Sequence, residues 1–323
     1  MKLLYMHGYK KGDRMEYKLK KAVMTGGSGP VGMALIQKLL DEDVEIFLFQ
    51  REESERKFHL PKDQRLHIVS CSLEQLKDFV PQERDFDVFF HLGWTNTLQK
   101  LREDMEKQLE NVKYSCDAVR LAYEMGCHTF IGAGSQAEYG RHEEPLRDDT
   151  LCTPENAYGI TKLCACHSTR VLCQKYGIRH IWPRILSGYG KYDNKYSVLV
   201  SNIINALEGR KMKFSKGEQI WDFLYMDDIA GALYLLAKKG KANQIYPIGS
   251  GKARPLKEYI AVLCDKLGKS DEMVLGGIPY GENQIMHLEA DISKIQRDTG
   301  WEPKVDFEDG ISKTIEFYSE CNR

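Results

Sequence analysis

The sequence predicts an α/β fold built on a doubly wound parallel sheet, with a smaller and looser α/β region toward its C-terminal end. Three observations carry this expectation. Short apolar runs alternate with segments of helical periodicity up to about residue 186. The runs are apolar at consecutive positions, as strands buried on both faces require. The first run is followed at once by a glycine turn and then by an apolar helix.

The elements follow in order. KAVMT (21–25) reads as the first strand, and VGMALIQKLL (31–40) continues as a helix. VEIFLFQ (44–50), LHIVS (66–70), FDVFFHLGW (86–94), HTFIGAGS (128–135) and IRHIWPRIL (178–186) are the later strands. Between them, SLEQLKDFV (72–80) is amphipathic, a long helix covers roughly 99–125, and a second covers 157–177, stopped by Gly177. Right-handed crossovers turn this alternation into helices on both faces of one sheet. Residues 187–323 read as loops and small helices that close a pocket over the strand ends, with 221–250 returning to the sheet. Residues 1–19 read as a leader outside the core, and residues 1–14 are expected to add no core contact.

Composition excludes several classes. The 323 residues are 42% hydrophobic and 29% charged, with a net charge of −1. No basic surplus points to nucleic acid. No apolar run reaches the length of a membrane span, and the N-terminus lacks the apolar core of a secretory signal. The nine cysteines are scattered through apolar segments, which reads as reduced thiols in the cytoplasm. Cys164, Cys166 and His167 resemble metal ligands at first sight, but neighbours at that spacing on one helix diverge, so no metal is expected.

TGGSGPVG (25–32) joins the first strand to the first helix. Gly26, Gly29 and Gly32 permit a tight turn, a close backbone approach to a pyrophosphate, and close helix–strand packing. Pro30 suits the first helical turn, and the helix N-terminus offers free N–H groups to an anion. This strand–turn–helix context predicts a Rossmann-type dinucleotide site in residues 20–186. The second strand ends in Gln50 and Arg51 rather than in the acid that would hold a ribose 2′-hydroxyl. Either NAD or NADP fits, and Arg51 tilts the choice toward NADP through its 2′-phosphate.

Tyr158 and Lys162 stand four apart on the helix that follows Ser135 by 23 residues. They share one helix face. A phenol there can exchange a proton with a sugar hydroxyl or ketone while a nicotinamide moves a hydride. A neighbouring ammonium is expected to lower the phenol pKa, and Lys162 can also hold the nicotinamide ribose.

With TGGSGPVG, HLGW (91–94), SQAEYG (135–140), YGITK (158–162), PRILSGYG (183–190), WDFLYMDDIA (221–230), YPIGSG (246–251) and ADISKIQRDTGWEPKVDFEDGI (290–311), the chain resembles the extended short-chain dehydrogenase/reductases. Within them it is similar to the NAD-dependent epimerase/dehydratase family of nucleotide-sugar enzymes, over about residues 20–318. The resemblance implies a catalytic set of Ser135, Tyr158 and Lys162, with Asn111 supporting a proton relay behind the lysine. It places Gly26, Gly29, Pro30, Val31, Gly32, Gln50, Arg51, Leu92, Gly93, Trp94, Ala133, Tyr158, Lys162 and Pro183 around the cofactor. Trp94, Ser135, Gln136, Ser187 and Trp221 would meet substrate. Asp227 and Asp228 would cap a helix and make structural hydrogen bonds, and His91 would pack at a strand end. Arg184 and Arg254 are candidate anion partners that packing or solvation explains as well.

Departures from the family pattern narrow the chemistry. The family's 4,6-dehydratases carry Asp-Glu directly after the hydroxyl residue, where this chain has Gln136-Ala137. Alanine cannot move a proton, and Glu138 comes one position late. Hydride transfer at one carbon remains: 4-keto reduction or 4-epimerisation of a sugar, expected to be nucleotide-linked. Trp221 replaces an arginine that often meets the diphosphate, Ser187 replaces an asparagine, and Ser72 replaces an aspartate near adenine. A non-catalytic NADP-binding sensor is the alternative, which would need only the glycine turn. The resemblance also implies a homodimer paired through the helices near 99–125 and 157–177.

Overall fold

The computed structural model of the chain describes residues 18–53, 59–97 and 99–321. The expectation for residues 1–14 lies outside the described residues. Leu19, inside the segment read as leader, is buried in the core.

Among the described residues twelve strands and eight α-helices follow one another. They are β1 (Lys21–Thr25), α1 (Pro30–Asp41), β2 (Glu45–Gln50), β3 (Leu66–Ser70), β4 (Val88–His91), α2 (Met105–Glu124), β5 (Thr129–Gly132), β6 (Gly134–Ser135), α3 (Ala157–Tyr176), β7 (Arg179–Ile185), β8 (Ser187–Tyr189), α4 (Val198–Leu207), β9 (Ile220–Trp221), β10 (Phe223–Tyr225), α5 (Met226–Lys239), β11 (Gln244–Ile248), β12 (Arg254–Pro255), α6 (Leu256–Lys266), α7 (Ser293–Thr299) and α8 (Phe307–Cys321). The main sheet runs β11-β7-β5-β4-β1-β2-β3, with β6 beside β7, and every pairing in it is parallel. β2 and β3 extend from one side of β1 and β4 begins the other. The order therefore reverses at β1/β4, where α/β sheets bind ligands beyond their strand C-termini. α1 and α5 cover one face through a core of Leu35, Ile36, Leu39, Leu233 and Leu236. The other face meets α2 through Phe89, Phe130, Ala118 and Ala122.

Local chemistry explains where elements start and stop. Asn156 caps α3 by accepting from the Gly159 N–H at 2.8 Å, and Gly177 closes it at φ +71°. The helix expected from residue 99 begins instead at Met105, because Asp104 turns extended and accepts from the Lys107 N–H. A separate 3₁₀ turn occupies Gln99–Arg102. The amphipathic 72–80 segment contracts to a 3₁₀ turn at Glu74–Asp78, with Leu76 alone buried in it. The strand read across 128–135 is interrupted at Ala133, whose N–H donates back to the His91 carbonyl.

That interruption accounts for Pro183, which lies inside β7. β5 pairs with β7 up to Ile181, and β6 resumes at Arg184. The ring therefore sits where no N–H is needed on that side.

Candidate active site

The turn after β1 meets the turn after β4 with no space between. A Cβ on Gly26 would lie 2.5 Å from the Gly93 nitrogen, and Gly26 itself has φ +76°. A Cβ on Gly32 would lie 2.2 Å from the Gly26 carbonyl oxygen. α1 starts from Gly29 with Pro30 next, no side chain capping it and no acid in its first turn. Its first N–H groups are thus left for an anion. These features fit a dinucleotide pyrophosphate.

Thr25, at the end of β1, ties this floor together. Its hydroxyl accepts from the Gly93 N–H at 3.2 Å and bonds His91 Nδ1 at 2.9 Å. Ser115 donates to the Asn111 carbonyl, so His91 Nε2–H donates to Ser115 Oγ at 3.1 Å. His91 is thereby held neutral. Burial, with Lys162 next, pushes its pKa down to about 3.

At the end of β2, Gln50 is buried and its amide turns to the Arg51 carbonyl. Arg51 is exposed beside a 180 Å³ hollow lined by Glu52, Glu53, Ser70, Ser72 and Gln75.

Ser135, Tyr158 and Lys162 converge beyond β5. Ser135 Oγ accepts from the Ala137 N–H at 3.2 Å, and its hydroxyl lies close enough to the Tyr158 phenol to favour the phenolate. Lys162 is 4% exposed. Its ammonium donates to the Ala133 carbonyl at 2.7 Å and sits 3.8 Å from the centre of the Trp94 ring. Trp94 stands edge-on to Tyr158, with ring centres 6.0 Å apart. Its indole N–H is fixed by Gln108 at 2.8 Å.

Lys162 Nζ lies 5.8 Å from the Tyr158 ring centre, but other groups dominate the electrostatics of the phenol. Burial raises the Tyr158 pKa, and the opposing pull comes from Arg102 and the Ser135 hydroxyl. Lys162 is itself pushed down to about 7 by burial. Near neutrality this ammonium is only partly charged, which reduces its support for a phenolate. Arg102, which the motifs did not single out, fills that gap: its guanidinium carbon lies 4.1 Å from the Tyr158 ring centre.

Burial of Lys162 has a stability consequence. Between pH 7 and 10.5 the unfolded chain holds a proton that folded Lys162 has largely lost, so this lysine's contribution rises with pH in that window. The gain is up to about 1.4 kcal/mol per pH unit. Lys162→Met should be more stable than the wild-type chain at pH 7, with the difference shrinking by pH 9 in denaturant titrations. A difference independent of pH would contradict this.

Other candidates fall into different roles. The Asn111 side chain bonds Thr95 and the Lys107 carbonyl, not Lys162: Oδ1 accepts from the Thr95 N–H at 2.7 Å and pins the loop after β4. Trp221 donates to Ser187 Oγ at 2.9 Å, so these two substrate candidates hold one another. Gln136 is half-buried at the start of the turn after β6.

Arg184 is a buried partner of Glu138 rather than a surface anion site. Arg254 pairs with Glu308 and lies over Tyr259. Asp228 does not cap α5, whose first turn has no side-chain cap; it accepts from the Lys304 and Val305 N–H groups and docks that segment. Asp222, fully buried, gathers the N–H groups of Ser250, Gly251 and Ala290. Its mark in the sequence is a single acid within the apolar run IWDFLY. On α3, Cys164 and His167 point outward while Cys166 is buried. Among the described residues no group of His, Cys, Asp and Glu could hold a metal ion.

The sequence profile of the NAD dependent epimerase/dehydratase family matches residues 22–249. The chain belongs to this family. Relatives within it differ in reach. An Escherichia coli dTDP-4-dehydro-6-deoxyglucose reductase is 26% identical over 93% of this chain and 98% of its own length. A Shigella flexneri dTDP-glucose 4,6-dehydratase is 34% identical, but the match covers 53% of this chain and 49% of that protein. The chain thus aligns with about half the length of such dehydratases. The UDP-glucose 4-epimerase of Thermotoga maritima superposes with a TM-score of 0.84 at 23% identity, over 94% of this chain and 100% of that one, and so shares the fold. Among the described residues no helix is long and apolar enough to cross a membrane.

Proposed function

We propose that the protein is an NAD(P)-dependent oxidoreductase that reduces the 4-keto group of a nucleotide-linked sugar by hydride transfer at one carbon, without dehydration. The observation that carries this is the convergence of Ser135, Tyr158 and Lys162 beside the glycine turn, combined with Gln136-Ala137 where dehydratases need two acids. A reductase relative that aligns over nearly the whole chain supports the reading. Epimerisation at the same carbon would use the same residues and is the second outcome of the test.

The residues present fit the cofactor. Gly26, Gly29, Pro30, Val31 and Gly32 would hold its pyrophosphate, and Gln50 and Arg51 its adenosine. Leu92, Gly93, Trp94, Ala133, Lys162 and Pro183 would flank the nicotinamide half. The cofactor supplies the hydride. Tyr158 gives the proton to the sugar oxygen, and Ser135 donates a hydrogen bond to that oxygen. Lys162 holds ribose, and Arg102 keeps positive charge beside the phenol as it ionises. Arg51 with the Ser70 and Ser72 hydroxyls is the feature that favours NADP over NAD, opposed by Glu52 and Glu53 in the same lining. Trp94, Ser135, Gln136, Ser187 and Trp221 would meet the sugar nucleotide; residues 20–186 would hold the cofactor and the catalytic set, and 187–323 would mainly complete the substrate site. A cytoplasmic homodimer completes the reading. Nine free thiols and the exposed Leu109, Tyr123, Ile160 and Val171 on α2 and α3 support it.

The test is a turnover assay with a nucleotide-linked 4-keto-6-deoxyhexose. NADPH should be consumed mole for mole, faster than NADH at equal concentration. Interconversion of 4-epimers without net cofactor consumption would assign epimerisation instead. Cofactor binding with neither reaction would sink the proposal.

A further inference from the structure

Glu138 is the acid that stands one place too late for elimination, and it is wholly buried. Four hydrogen bonds converge on its carboxylate. Oε1 accepts from the Ser135 N–H at 2.8 Å and from Trp182 Nε1 at 3.0 Å. Oε2 accepts from the same indole at 3.1 Å and from Arg184 Nε at 2.7 Å. Arg184 is 1% exposed and lies 4.3 Å from the Tyr139 ring centre. The donors come from two adjacent strands, since β6 pairs Gly134 with Arg184 and Ser135 with Ile185. Gly134 leaves the space: a Cβ there would lie 2.4 Å from Trp182 Nε1 and 2.6 Å from Glu138 Oε1.

The same three-residue turn orients Ser135. Its N–H is taken by Glu138, and its Oγ accepts from the Ala137 N–H, a reciprocal capping box. With the backbone and one lone pair fixed, the hydroxyl hydrogen is left to donate to the reacting oxygen, beside the Tyr158 phenol.

We propose that Glu138 is a positioning residue: anchored by Arg184 and Trp182, it holds Ser135 so that its hydroxyl donates toward the reacting oxygen beside Tyr158. This rests on the proposed roles of Ser135 and Tyr158. The displaced acid then has a job that excludes proton transfer, because both of its oxygens are already occupied by donors. It acts through Ser135 alone.

That dependence sets the experiment: kcat and cofactor KM for Glu138→Gln, Ser135→Ala and the double variant, on the full chain with the 4-keto substrate. A glutamine keeps the shape but cannot accept at both ends. Glu138→Gln should lower kcat by about 10- to 100-fold, as small misplacements of catalytic groups do, and leave the cofactor KM unchanged. In the Ser135→Ala background the same change should have almost no further effect on kcat. An equal loss in both backgrounds, or none in the first, would overturn the proposal. Unchanged kcat in Ser135→Ala would refute the role of Ser135 itself and the inference with it. The Glu138→Gln change also leaves Arg184 without its buried counter-charge and can prevent folding. Trp182→Phe then takes its place: it keeps the ion pair, removes one donor to each carboxylate oxygen, and must show the same coupling to Ser135.

Discussion

Tyr158→Phe is expected to lower turnover by about 10²- to 10⁴-fold, the usual worth of a positioned general acid. The substitution removes one oxygen and keeps the ring. The ring's neighbours, Arg102 at 4.1 Å and the edge of Trp94 at 6.0 Å between ring centres, therefore lose little packing. Cofactor affinity should change little, because the glycine turn, Arg51 and Lys162 are untouched. Rapid-mixing measurements of hydride transfer, with cofactor titration by fluorescence, separate the two effects. Wild-type turnover in this variant would mean that another group moves the proton. Of the nearby groups, Lys162 is bonded to the Ala133 carbonyl, and Glu138 has donors on both oxygens.

The second large effect is at the other end of the site. In Gly32→Ala the new methyl would lie 2.2 Å from the Gly26 oxygen and 2.7 Å from the Gly27 Cα. Both neighbours are backbone, so no side chain can swing aside. Either α1 moves off β1 or the turn opens, and both displace the N–H groups at the helix start. Overpacking of this kind costs about 1–3 kcal/mol, which at a rigid site converts to about a 10- to 100-fold loss of cofactor affinity. Gly231→Ala is the control. A Cβ there finds its nearest neighbour, Trp301 Nε1, at 3.7 Å, and α5 lies away from the turn. Its cofactor affinity should equal that of the wild-type chain in isothermal titration. Unchanged affinity in Gly32→Ala would show that the turn does not cradle the cofactor.

Much of the framework is legible in the sequence because each level agrees with the next. β1, the glycine turn and α1 are a continuous apolar strand, a turn only glycine can make, and a helix with proline at its start. α3 is bracketed by an asparagine cap and a left-handed glycine. Ser135, Tyr158 and Lys162 are legible because one helix and one strand end carry them.

What stays hidden depends on contacts between segments far apart in the chain. Arg102 reaches Tyr158 only because Asp104 ends the preceding turn and restarts the helix. Nothing in a pattern of apolar residues encodes that guanidinium's direction. The Lys162 ammonium is weakened by burial, whereas spacing on a helix reports only that it is near the tyrosine. Glu138 reads as a misplaced acid until β7 supplies Trp182 and Arg184. Asn111 reads as a relay residue until the loop after β4 folds back and takes its amide.

The central claim, hydride transfer at one carbon without loss of water, is tested most directly by the fate of a labelled hydride. The enzyme would be given NADPH carrying deuterium at the transferred position of the nicotinamide ring, with the nucleotide-linked 4-keto-6-deoxyhexose, and the product analysed by mass spectrometry and NMR. The account predicts a product bearing one deuterium, at C4 alone, with every oxygen of the substrate retained. Deuterium at another carbon, or a product lacking one water, would contradict it.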